Sequence, residues 1–173
     1  MLFNLQLVKN IVKIISRILM KNYIFFYNNL IKLTTNKLLY KNLQKQDTFN
    51  DRLLMFLFHF AFFLKVFKSQ ENEKILQEVY DFNFRQLELS IREIGYGDQS
   101  INKKMKDYIN VFHAIVSDIH FWDDLEIRKK KQTIAKFLED FNNIDELVVY
   151  FDEFAQNLSK RTLNSYLKSV INL

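Results

Sequence analysis

Proline is absent from this 173-residue chain, and glycine occurs only twice. Hairpins and tight turns lean on those two residues, so strand-rich architectures fall away and an all-α fold is expected. Cysteine is also absent, which removes disulfides, thiolate nucleophiles and cysteine-based metal sites and fits a reducing compartment. No acidic side chain precedes Asp47, whereas residues 1–46 carry eight basic ones. The other 127 residues hold 17 basic and 20 acidic groups, so the net charge of +5 belongs to the N-terminal quarter. Long apolar runs are missing too. The longest, Leu53 to Leu64, is 12 residues with His59 inside it, and a bilayer crossing needs about 20. It reads as a helix buried on most sides. Lys9, Lys13 and Arg17 interrupt any secretory signal.

What is present is a globular profile, with 49% hydrophobic and 26% charged residues. A chain of this size can bury a single core. Residues 5–20 place Lys9, Lys13, Arg17 and Lys21 at i, i+4 spacing along one helix face, with Leu7, Val8, Ile11, Ile14, Ile15, Ile18 and Leu19 opposite. Such a basic amphipathic helix suits an anionic surface, either a lipid leaflet or ribosomal RNA. It equally suits a helix that covers the core with solvated lysines outside. An organellar targeting peptide is a third reading, against which stand the lysines in place of arginines and the few serines. The expected organisation is an arm, residues 1–21, followed by one compact multi-helix domain, residues 22–173.

Helices are expected over 22–33 and 36–45, broken at Thr34-Thr35-Asn36. Asp47-Thr48 offers an N-cap for a helix over 49–68. In helix 73–94, Leu76, Tyr80, Phe84, Leu87, Ile91 and Ile94 form one buried stripe, with the pairs Asp81–Arg85 and Glu88–Arg92 outside. Gly95 stands where a left-handed C′ residue belongs. Ser100 or Asp98 caps a helix over 101–120, whose core face is Ile101, Met105, Tyr108, Phe112, Ile115 and Ile119. Further helices are expected over 124–141, 144–157 and 160–171, the second announced by Asn143, Asp145 and Glu146. The phenylalanine excess reads as compositional drift and carries no weight.

Few residues are spaced for chemistry. Gly95-Tyr96-Gly97 lacks the third glycine and the preceding strand of a dinucleotide fingerprint, and reads as a helix–turn–helix connection. Lys103, Lys104 and Lys106 follow that turn. Positive charge beside a helix N-terminus is unfavourable, which points to an outside group that wants it, unless Asp98 and nearby acids offset the cost. His59 reads as a core histidine. His113 and His120 lie two turns apart, about 10 Å, too far to share one ion despite Asp118, Asp123 and Asp124 nearby. No nucleophile is spaced with a base and an orienter, so no catalytic or metal-binding residue is assigned. The run Arg128-Lys129-Lys130-Lys131 reads as a solvated face.

One block is more specific. Ile91-Arg92-Glu93-Ile94-Gly95-Tyr96-Gly97-Asp98, followed by Lys103-Lys104-Met105-Lys106, resembles the signature of the ubiquinol–cytochrome c chaperone family. Asp47-Thr48-Phe49 with Arg52 and His59, Phe62 to Lys68, and Asp81 with Phe84 add to the resemblance, which runs from about Tyr23 to Val116 and thins over the last 50 residues. Gln46 departs from the proline usual before Asp-Thr, and Ala114-Ile115 from a Gly-Arg pair. The resemblance implies a non-enzymatic assembly factor that needs no cofactor. Its client would be newly made cytochrome b, on the matrix or bacterial cytoplasmic side and peripheral to the inner membrane. A small helical partner subunit and the ribosome are implied as further partners, and DNA is not.

The face expected to hold client or partner comprises Arg92, Glu93, Gly95, Gly97, Asp98, Lys103, Lys104 and Lys106. The face expected on a membrane or RNA surface comprises Lys9, Lys13, Arg17 and Lys21. Two rival readings are a basic adaptor with no cytochrome b client, and an enzyme acting on lipid or quinone through His113 and His120.

Overall fold

The apolar run forms the centre of the molecule. In the computed structural model, Thr48 starts helix α2 (Phe49–Phe67) with a capping box. Thr48 Oγ1 accepts from the Asp51 amide, and Asp51 Oδ2 accepts from the Thr48 amide at 2.8 Å. Every side chain from Met55 to Phe63 is then buried. Such a helix needs neighbours on all sides, and it has them: α1 (Leu2–Leu33), α4 (Asp98–Asp118) and α6 (Ile144–Ser159) pack on it. Around these, α3 (Glu73–Glu93) packs on α1 and α4, α5 (Ile127–Ala135) on α6, and α7 (Leu163–Lys168) on α1. Short 3-10 helices cover Lys37–Tyr40 and Trp122–Asp124. The described residues are 2–41, 48–139 and 141–168, with side chains from Lys13 onward except residues 15 and 16. Among them the fold is one all-α domain of seven α-helices.

The phenylalanines dismissed as drift are the core. Phe62 stacks on Phe151 of α6 at 5.0 Å and meets Trp122 edge-on at 5.1 Å. On the other side of α2, Phe60 stacks on Phe112 of α4, and Phe63 lies 4.3 Å from Phe26 of α1. Such ring pairs add about 0.5–1.5 kcal/mol each beyond area burial. His59 is a core histidine, as expected. Its Nδ1 donates to the Met55 carbonyl at 2.6 Å, which leaves Nε2 to accept from the Tyr150 hydroxyl at 2.7 Å. Burial pushes its pKa down to about 4.

Several boundaries differ from the sequence expectation. The helices expected over 5–20 and 22–33 are one helix, α1, because nothing from Met20 to Tyr23 breaks it. The helix expected from residue 36 is only a 3-10 turn at Lys37–Tyr40, because Asn36 caps Leu38 and Lys41 is extended. Residues 42–45 of that expectation lie outside the described residues, as do Gln46, Asp47 and the final stretch 169–171. The helix expected over 124–141 is α5 alone, after which the chain turns so that Leu138 and Phe141 reach the core. Asn143 precedes α6 but does not cap it with its side chain; its Nδ2 donates to the Leu39 carbonyl at 3.2 Å. Asp81 accepts from Gln77 rather than pairing with Arg85, whereas the Glu88–Arg92 pair forms at 2.8 Å.

Candidate functional site

The turn between α3 and α4 is built by one glycine. Gly95 sits at φ +100°, and its amide closes the end of α3 on the Arg92 carbonyl at 2.9 Å. Nothing lies within 4 Å of where a Cβ would stand, so backbone angle and not crowding selects glycine there. Gly97 is different: at φ −71°, ψ 154° it is an ordinary N-cap residue. Helix α4 therefore starts at Asp98, earlier than expected, and neither Asp98 nor Ser100 is its cap.

That shift changes the reading of the lysines. Lys103, Lys104 and Lys106 lie beyond the first turn of α4, where the helix dipole has faded, so they break no local rule. Lys103 and Lys106 are exposed and have no ion-pair partner among the described residues. Lys104 lies with its ammonium 4.6 Å from the Tyr96 ring centre. Arg92 and Asp98 are occupied within the fold: Arg92 bridges Glu88 on α3 and Asp98 on α4. Glu88 first, then Asp98, push its guanidinium pKa further up. Glu93 is exposed at the last turn of α3. Two residues that the sequence did not single out stand between these charges. Ile94, expected to end the buried stripe, is 56% exposed because no helix reaches past the end of α3, and Tyr96 is 42% exposed. The turn is thus an exposed apolar tip with Lys104 against Tyr96, Glu93 and Asp98 beside it, and Lys103 and Lys106 following on α4.

Along α1, Lys13, Arg17 and Lys21 are exposed, and Lys21 lies 5.7 Å from the Phe25 ring. The side chain of Lys9, like those of Leu7, Val8, Ile11 and Ile15, is outside the described residues. Ile14 and Ile18, expected on a core-facing side, are more than half exposed. Among the described side chains, Leu19 packs partly against the core, and Tyr23, Phe26, Leu30 and Leu33 are buried in it.

The remaining histidines are exposed and make only local contacts. His113 Nε2 accepts from Tyr80, whose phenol burial keeps protonated, at 3.0 Å, and His120 sits edge-on to Phe121. Among the described residues no three metal-donating side chains come together. The expected solvated run is half structural: Lys130 and Lys131 reach Asp152 and Asp145 of α6, each at 2.8 Å. One cleft of about 580 Å³ is lined by Lys65, Asp123, Lys130 and Asp152, and another of about 220 Å³ lies between α1 and α7. Neither includes His113 or His120. No described helix is long and apolar enough to cross a membrane.

The fold is similar to the crystal structure of the Cbp3 homolog from Brucella abortus, with a TM-score of 0.77 over 96% of each chain at 18% identity. A search of the curated proteins gives no match. The family model described as Ubiquinol-cytochrome C chaperone matches residues 41–169. It thus starts later than the resemblance near Tyr23, runs through the last third where the resemblance thins, and leaves α1 outside. With well over half of its length matched, the chain belongs to the ubiquinol–cytochrome c chaperone family.

Proposed function

We propose that this chain holds newly made cytochrome b during assembly of the ubiquinol–cytochrome c reductase complex, using the α3–α4 turn as its contact. Family membership makes it a chaperone of that assembly; the client and the contact face are the proposal. The observation that carries the face is the exposed pair Ile94 and Tyr96, with Lys104 against the Tyr96 ring and Lys103 and Lys106 exposed on the helix that follows. A nascent membrane protein offers apolar segments bounded by polar flanks, and an apolar tip with lysines beside it complements both. Arg92 and Asp98 join the two helices of the turn and Gly95 sets its angle, and with Glu93 and Gly97 they complete the contact face. The role is that of a binding protein, and no bond is made or broken. Residues 1–21 act as an arm that concentrates the domain, residues 22–173, at an anionic surface. The setting is the bacterial cytoplasm or the mitochondrial matrix, peripheral to the inner membrane, with a small helical subunit and the ribosome as further contacts.

The test is an affinity pull-down of the tagged chain from solubilised membranes, with bound proteins identified by mass spectrometry. Cytochrome b is expected with the parent. It should be lost with Lys103→Glu combined with Lys104→Glu, and with Ile94→Ser combined with Tyr96→Ser, at unchanged helicity. Ribosomes or bulk lipid recovered without cytochrome b would replace this reading by that of a general basic adaptor.

A further inference from the structure

We infer that the outer face of α1, from Lys13 to Ile31, docks on the headgroup layer of an anionic phospholipid bilayer. The inference rests on the reading above only in that it names the surface at which the arm acts, and it extends that surface beyond the arm. At 3.6 residues per turn, Tyr23, Phe26, Leu30 and Leu33 fall within about 80° of one another and face the core. The opposite side is not the polar face a globular helix normally shows. Ile14, Ile18, Met20, Ile24, Phe25 and Ile31 stand 40 to 56% exposed there. Among the described residues they are six of the fourteen large exposed apolar side chains, gathered on one helix, so scatter does not explain them.

Their arrangement is ordered. Ile14, Ile18 and Phe25 fall within about 40° and form one row, while Met20, Ile24 and Ile31 fall within about 40° and form a second. Arg17, Lys21 and Asn28 lie between the rows, and Lys13 lies on the second. No acidic residue occurs anywhere in α1, so the face carries charge of one sign. Apolar rows alongside cations whose long stems reach upward to phosphates are what an interfacial helix needs. RNA is a poorer occupant: its phosphates call for the cations, but stacking needs rings, and five of the six exposed side chains are aliphatic. Docked this way, α1 lies flat and α2 sits on its far side from the lipid.

The experiment is co-sedimentation of the full chain with vesicles, either phosphatidylcholine alone or an equimolar mixture with phosphatidylglycerol. Binding is expected only to the mixture and should weaken with salt. Ile24→Gln, Phe25→Gln and Ile31→Gln together, all inside the domain rather than the arm, should lower binding roughly tenfold at parent-like helicity. Should that variant melt early, Ile14→Gln with Ile18→Gln gives the same readout at the two more exposed positions. Vesicle binding lost with Lys13→Gln, Arg17→Gln and Lys21→Gln but untouched by the apolar variants would overturn the inference and leave the arm reading in place. No binding to either vesicle would remove both. Unchanged vesicle binding with loss of a co-purifying protein would make the face a protein interface and overturn the inference as well. Cytochrome b capture is read separately and is independent of each result.

Discussion

Gly95 and Gly97 look equivalent in the sequence and are not equivalent in the structure. Gly95 holds φ +100°, where a Cβ meets the following carbonyl; Gly97 holds angles open to any residue, with nothing within 4 Å of a new Cβ. Gly95→Ala should therefore cost about 1–2 kcal/mol. Gly97→Ser should instead stabilise by roughly 0.5–1 kcal/mol, through a stiffer unfolded chain and a hydroxyl able to cap α4. Urea midpoints of the two variants check this, and equal shifts of one sign would refute the distinction. The same scale explains which charges were misread. Lys130 looks free in sequence, and Arg92 looks paired with Glu88 alone, but the fold also brings Asp152 to the first and Asp98 to the second.

At the scale of elements, what was legible had local signals. Helices α2 and α6 begin where Thr48 and Asn143 stand before periodic stretches, and α3 follows its apolar stripe and ends on Gly95. The continuity of α1 and the shortness of α5 had no such signals, since both are set by what packs on them. The turn that forms the candidate site was legible from its two glycines. Its lysines were placed one turn too close to the start of α4, because Gly97 caps without a side chain. Ile94 was misplaced because a periodic pattern does not reveal where the neighbouring helix stops. The best-signalled start also carries a test. Thr48→Ala removes the hydroxyl that accepts from the Asp51 amide and donates to Asp51 Oδ2, and leaves that carboxylate only its bond from the residue 48 amide. It should cost about 1 kcal/mol in urea unfolding, with Thr48→Ser recovering most of it. No loss in the alanine variant would mean that burial alone holds the first turn of α2.

At the scale of the whole molecule, α2 and α6 are joined at the centre by a polar contact, His59 to Tyr150, across 91 residues of chain. Both partners are held neutral: burial pushes the imidazole down to about 4 and the Tyr150 phenol up. The ordinary imidazole pKa of the unfolded chain is about 6.5. Between these two values the unfolded chain binds a proton that the folded one does not. Stability therefore rises with pH through that window and is lost as pH falls from about 6.5 towards 4. The full effect reaches about 3 kcal/mol, a large share of the 5–15 kcal/mol typical of a domain. Carboxylates titrate over part of the same range, so the informative quantity is the difference between the parent and His59→Gln, which keeps a polar group that cannot titrate. Thermal unfolding of both from pH 7.5 down to 4 should give curves that diverge above pH 4 and run parallel above pH 6.5. Parallel curves throughout would mean that His59 is protonated as readily inside the core as outside it, and that its place between Met55 and Tyr150 does not depend on its being neutral.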